Sequence, residues 1–125
     1  AVAYNWKAKI NENAKVPAFC NVAPEMDHNE INSFEIPALS EKFYFLFLED
    51  SYDHPRVQKR MSVTADIFIK KGFNVEKIKL SGQNHFHKIF SSLILADWVS
   101  FYLAGEYGLD PEQVPMVEEF KKLIA

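Results

Sequence analysis

Hydrophobic residues open the chain four apart, at Val2, Trp6 and Ile10, which predicts a helix over Ala1 to Asn11. Val16 to Val22 is a short apolar piece with Pro17 near its start, either a brief strand or an extended connection. The polar, turn-rich stretch from Ala23 to Ser33 reads as a loop entering a short helix. Phe43 to Leu48 is continuously apolar, as in a parallel-sheet strand covered on both faces. Asp53 then offers a helix N-cap and Pro55 falls in the first turn. Val57, Met61, Ala65 and Phe68 recur at helical spacing until Lys71-Gly72 supplies the stop. Val75 to Leu80 forms a second strand, closed by Ser81-Gly82. Strand, helix and strand in this order imply a right-handed βαβ unit.

A long helix follows from Phe86 to Tyr107, amphipathic at first and then apolar almost all round, so it needs cover on every side. Gly108, Asp110 and Pro111 make a turn. Val117, Phe120, Leu123 and Ile124 mark the apolar stripe of a closing helix from about Pro115. There is no internal repeat. Two or three strands with helices do not close a barrel, so the expected class is α/β, a small layered sandwich.

The 125 residues suit one domain, and 48% hydrophobic with 25% charged residues is a globular balance. A net charge of -3 gives no basic excess for nucleic acid or an anionic membrane. The single cysteine, Cys20, has no partner within the chain, which favours a reducing cytoplasm. No secretory signal opens the sequence. Its longest apolar run, Leu93 to Ala104, contains Asp97 and is too short to cross a bilayer.

Two segments carry more specific information. Asn11-Glu12-Asn13-Ala14-Lys15-Val16-Pro17-Ala18-Phe19 is followed by Pro24-Glu25-Met26-Asp27-His28-Asn29-Glu30-Ile31. Together they resemble the bacterial and archaeal phosphoglucose/phosphomannose isomerase family, in which an N-E-N-x-K-x-P-A stretch precedes P-E-x-x-H-N-E-I. The likeness continues through Asp53-His54-Pro55-Arg56-Val57, Ala96 to Ala104, Gly108-Leu109-Asp110-Pro111 and Phe120-Lys121-Lys122. A lone H-N-E carries little weight. Matching segments in one order along nearly the whole chain carry much more.

The resemblance implies a three-layer sugar isomerase (SIS) fold, with a short, mainly parallel sheet between helices. It also implies a reaction in which a sugar 6-phosphate opens its ring, loses the C2 proton to a carboxylate and regains it at C1 through a cis-enediol. Such chemistry needs a carboxylate, a second acid-base group for ring opening, and a cation near the sugar oxygens. By motif position these resemble Glu12, His28 and Lys121, with Lys122 the alternative to Lys121. In the family the histidine comes from the neighbouring subunit, which implies a homodimer. No cofactor or metal is implied, and cytoplasmic sugar metabolism is the expected setting. Glucose and mannose 6-phosphates differ only at the carbon that loses its proton, so one base serves both if the pocket admits both.

Each residue also has a plainer reading. Glu12 can be an exposed carboxylate at a helix end, His28 a loop histidine bonded to backbone, and Lys121 part of a solvated face beside Lys122. As metal ligands, Asp27, His28 and Glu30 are poorly spaced. His85 and His87 suit the start of the long helix, His54 a structural place beside the Asp53 cap, and Asp97 a hydrogen bond or subunit contact. The clustered Trp98, Phe101 and Tyr102 suit a core or a partner surface. Family members carry two SIS domains, and the chain matches the second. Gly82-Gln83-Asn84 is only a weak phosphate loop, so the piece alone is expected to be inactive. The competing reading is a non-catalytic SIS module that binds a sugar phosphate as a regulatory ligand or dimerises.

Overall fold

The spacing of Trp6 and Ala14, both buried, selects the face on which the first helix packs. In the computed structural model, which describes all 125 residues, this helix, α1, spans Val2–Ala14. It belongs to one compact unit made of residues 1–20 and 84–125. Residues 21–83 form the other.

In the first unit α1 lies against α4, His85–Glu106. Ser92, Ala96, Ser100 and Ala104 are buried at four-residue intervals, a stripe of small side chains that lets a neighbouring backbone come close. Three links between side chains join the helices, and Lys9 Nζ also donates to Leu93 O at 3.3 Å. Trp6 Nε1 donates to Ser92 Oγ at 2.9 Å, Asn13 Nδ2 to Ser100 Oγ at 2.9 Å, and Lys9 pairs with Asp97. Their nearly constant sequence offsets, 86, 87 and 88, mean that the two helices run parallel. Asp97 therefore has the hydrogen-bonding role foreseen for it.

Asn84 caps α4 by accepting the His87 amide at 2.9 Å. At the other end Gly108, at φ +65, turns the chain so that the Leu109 amide reaches Ala104 O at 2.9 Å. The expectation of cover on every side of α4 is not met within its unit. Phe90, Ile94, Trp98 and Tyr102 stand exposed, the last two at 54% and 65%. Trp98 stacks on Tyr102 at 5.8 Å and meets Phe101 edge-on at 6.0 Å. The reason is arithmetic: α1 is one helix and covers one face.

The helix also runs well beyond its apolar centre. At 22 residues it is long and apolar enough to cross a membrane by length and composition alone. Lys9 bonded to Asp97 at mid-helix, and two serine hydroxyls engaged by α1, are instead the pattern of a helix packed in protein. The closing helix α5, Pro115–Ile124, has no buried residue.

Residues 16–22 form no strand, and in the second unit the chain runs through two 3₁₀ turns, Glu25–Asp27 and Glu30–Phe34. A single helical turn, α2, Pro37–Ser40, follows. Strand β1, Tyr44–Glu49, helix α3, Pro55–Lys70, and strand β2, Asn74–Lys79, then form the expected βαβ unit. Its strands are parallel and in register from Tyr44 opposite Asn74 to Glu49 opposite Lys79. The α/β class and the parallel sheet stand, with two strands in that sheet.

Phe47, Ala65 and Phe68 form the core, with Phe34, Phe45, Met61, Phe73 and Val75 around them. On its other face β1 exposes Tyr44, at 63%, and Leu46, so cover on both faces is again not found within the unit. The end of α3 helps build this core. Gly72, at φ +83, lets the Phe73 amide bond Phe68 O at 3.0 Å, and the same turn lays the Phe73 ring 5.6 Å from that of Phe68. The cap at the start of α3 is His54, not Asp53. Pro55 takes the first helical position, so the residue directly before it must cap, and His54 Nδ1 accepts the Arg56 amide at 3.2 Å.

Candidate functional site

Glu12 sits in the last turn of α1, and both its neighbours are committed to the fold. Asn11 Oδ1 accepts the Ala18 amide at 2.7 Å, drawing the Val16–Phe19 segment back against the helix. Asn13 donates to Ser100. Lys15 ends the helix in the left-handed region at φ 56, where a side chain costs about 1–2 kcal/mol. Its ammonium donates to Asn13 O at 3.0 Å and Asp110 O at 2.7 Å. The N-E-N-x-K motif is therefore a clamp on the helix end. Glu12 itself is exposed and joins no hydrogen bond or ion pair within the chain. A depression of about 380 Å³ lies alongside, lined by Lys7, Asn11, Lys15, Val16, Pro17, Ala18 and Phe19. Asn11 lines that depression, and Glu12 is the one side chain of the triplet with no bond within the chain.

His28 shows the same arrangement in the second unit. Asp27 turns inward, 10% exposed, and accepts from Thr64 Oγ1 at 2.9 Å and from Arg60 at 3.5 Å, both residues lying on α3. Asn29, its amide turned to donate, reaches Glu25 O at 2.8 Å and Glu30 Oε2 at 3.0 Å. The His28 imidazole is exposed and unbonded, so the reading of a histidine tied to backbone does not apply to its side chain. Asp27, weighed above as a metal ligand, is an anchor. Nowhere in the chain do three or more His, Cys, Asp or Glu side chains gather as for a metal ion.

Lys121 lies on the exposed α5 and pairs with Glu118 at 2.7 Å, one turn away. No bond joins it to Glu12. An exposed pair of this kind contributes little and is easily exchanged for another anion. A second cavity of about 630 Å³ opens at the carboxyl ends of β1 and β2 and the start of α3, beside Asp50, Ser51, Lys59 and Lys79. That end of a parallel sheet is where α/β folds commonly take ligands. Sequence reasoning missed this cavity, whose residues come from three separated segments. It also missed Thr64, whose one signal is a hydroxyl a turn after Arg60 on the face of a helix that otherwise buries Ala65 and Phe68.

Comparison with known proteins agrees with the motifs. Residues 1–124 match the family described as bacterial phospho-glucose isomerase C-terminal SIS domain. The chain is 41% identical to the bifunctional phosphoglucose/phosphomannose isomerase of Aquifex aeolicus (strain VF5), across 97% of the chain and 38% of that protein. It is 37% identical to the Caldicellulosiruptor bescii protein of the same name, across 99% of the chain and 37% of that protein. For the Thermoplasma acidophilum protein of that name the figures are 35%, 100% and 39%. The chain thus spans well under half the length of these relatives. By the match across 124 of its residues and by its α/β architecture, this chain belongs to the bacterial phospho-glucose isomerase C-terminal SIS domain family.

Proposed function

We propose that the chain is the second SIS domain of a two-domain aldose-ketose isomerase interconverting glucose 6-phosphate, and mannose 6-phosphate through the same intermediate, with fructose 6-phosphate. The observation that carries this reading is the display of Glu12: a carboxylate without partners, held at a helix end whose neighbouring residues are all bound. The names of the relatives supply the substrate class.

In this reading His28 protonates the ring oxygen while the anomeric hydroxyl gives up its proton, which opens the ring. Glu12 takes the C2 proton, the C1–C2 double bond forms, and O1 gains a proton to give the cis-enediol. Glu12 then returns its proton to C1 as O2 loses its own and the carbonyl forms at C2. The Lys121 ammonium exchanges Glu118 for the sugar oxygens and steadies their charge.

The exposed aromatic face of α4 suits a homodimer in which His28 serves the partner's site, and the missing first domain supplies the phosphate contacts. The 125 residues alone are then inactive. Activity belongs to the complete enzyme, in cytoplasmic glycolysis and gluconeogenesis. Run in D₂O from fructose 6-phosphate, the complete enzyme is expected to give glucose 6-phosphate deuterated at C2. A substrate and product pool that gains no deuterium over many turnovers would indicate a direct hydride shift and overturn the proton-transfer reading.

A further inference from the structure

We propose that Asp27 and Thr64 are positioning residues for His28, an inference that rests on His28 being the ring-opening group. His28 stands between two 3₁₀ turns and is itself part of no long helix or strand. Its imidazole makes no bond that would fix it. Proton transfer to a ring oxygen needs that imidazole placed to within a fraction of an ångström, because a misplacement of about 1 Å costs on the order of a hundredfold in rate.

Of its two neighbours, Asn29 bonds only within the loop, to Glu25 and Glu30, and the residue directly before is the one tethered to a long helix. Asp27 is turned into the protein, and a carboxylate taken from water must be bonded. It has two donors on α3, one turn apart. Arg60 is half exposed and 3.5 Å away, whereas the Thr64 hydroxyl is 2.9 Å away on a residue only 3% exposed. The shorter and drier bond holds the loop, and α3 is itself fixed by Ala65 and Phe68 in the core. Ile31 and Phe34 pack the following turn on that same core, and at His28 the Thr64 hydroxyl is the shortest polar link from the loop to the βαβ unit. Asn13 and Ser100 do the corresponding work beside Glu12.

The test compares Thr64→Val, which keeps the shape and removes the hydroxyl, with Thr64→Ser, which keeps the hydroxyl, in the complete enzyme. Two quantities are read. One is kcat/KM for fructose 6-phosphate, which must open its ring. The other is the affinity for a five-carbon aldonate 5-phosphate, an acyclic mimic of the enediolate with no ring to open. Thr64→Val is expected to lower kcat/KM about tenfold, leaving the mimic's affinity within about twofold, and Thr64→Ser to restore turnover. The inference is overturned if Thr64→Val turns over like wild type, if turnover and mimic affinity fall together, or if Thr64→Ser is as impaired as Thr64→Val. Should Thr64→Val fail to fold, Asp27→Ala cuts the same tether from the loop side and must show the same split. His28→Ala separates the two levels of the argument. If it retains turnover, the role given to His28 fails. If it loses turnover while Thr64→Val does not, only the positioning role fails.

Discussion

Replacing Glu12 by Gln is expected to lower kcat of the complete enzyme by about 10²–10⁴-fold, the range typical of a general acid-base group, while leaving sugar-phosphate affinity and the unfolding midpoint almost unchanged. The second half of that expectation comes from the fold. Glu12 makes no bond within the chain, and exposed substitutions of this kind move stability by about 0.5 kcal/mol or less. Gln has nearly the shape of Glu and differs in its inability to hold a proton taken from carbon. A loss of rate at constant affinity therefore assigns the carboxylate to the transition state and not to binding. Steady-state kinetics beside isothermal titration measures both. A non-catalytic sugar-phosphate sensor would have no rate to lose, and an isomerase whose rate survived the change would need another base.

The largest stability effect is expected at Phe68. The ring is 1% exposed and touches four others, Phe34, Phe45, Phe47 and Phe73, at centroid distances of 5.3, 4.6, 6.2 and 5.6 Å. It is also the residue whose carbonyl accepts the Phe73 amide at the end of α3. Phe68→Ala removes the centre of the cluster, at a cost of about 3–5 kcal/mol, a large part of the roughly 5–15 kcal/mol that holds a typical domain folded. Phe68→Leu keeps most of the volume and should cost about 1.5 kcal/mol or less. Urea unfolding followed by circular dichroism gives both values. A cost below about 1 kcal/mol for Phe68→Ala would mean that the five rings do not act as one core.

The elements marked by local chemistry were legible in the sequence. Lys71-Gly72 ends α3 because a left-handed position after a helix favours glycine, and the apolar run before Glu49 is a parallel strand as read. Where the reading went too far, the cause was distance. An apolar run reports that a surface is to be covered but not whether the same unit covers it, and β1 and α4 each keep a bare face within theirs. The cap shifted from Asp53 to His54 because proline fixes the position of the first turn more firmly than capping preference does.

The candidate site divides in the same way. The motifs pointed to Glu12, His28 and Lys121. They could not show that Asn11 and Asn13 would be bound and Glu12 left free, since those bonds run to Ala18 and to Ser100. Nor could they show that Asp27 reaches a threonine 37 residues away. Lys121, on an exposed helix and paired with Glu118, gains no such support from its surroundings.

The central claim is that the Glu12 carboxylate carries hydrogen between two adjacent carbons. Its most direct measurement is a crystal structure of the complete enzyme with the acyclic aldonate phosphate bound. The account predicts a Glu12 carboxylate oxygen about 3–3.5 Å from the carbon that mimics the reacting pair, the distance of a near-attack arrangement. A ligand seated in its pocket with Glu12 still facing solvent, or bound into an ion pair away from it, would contradict the account.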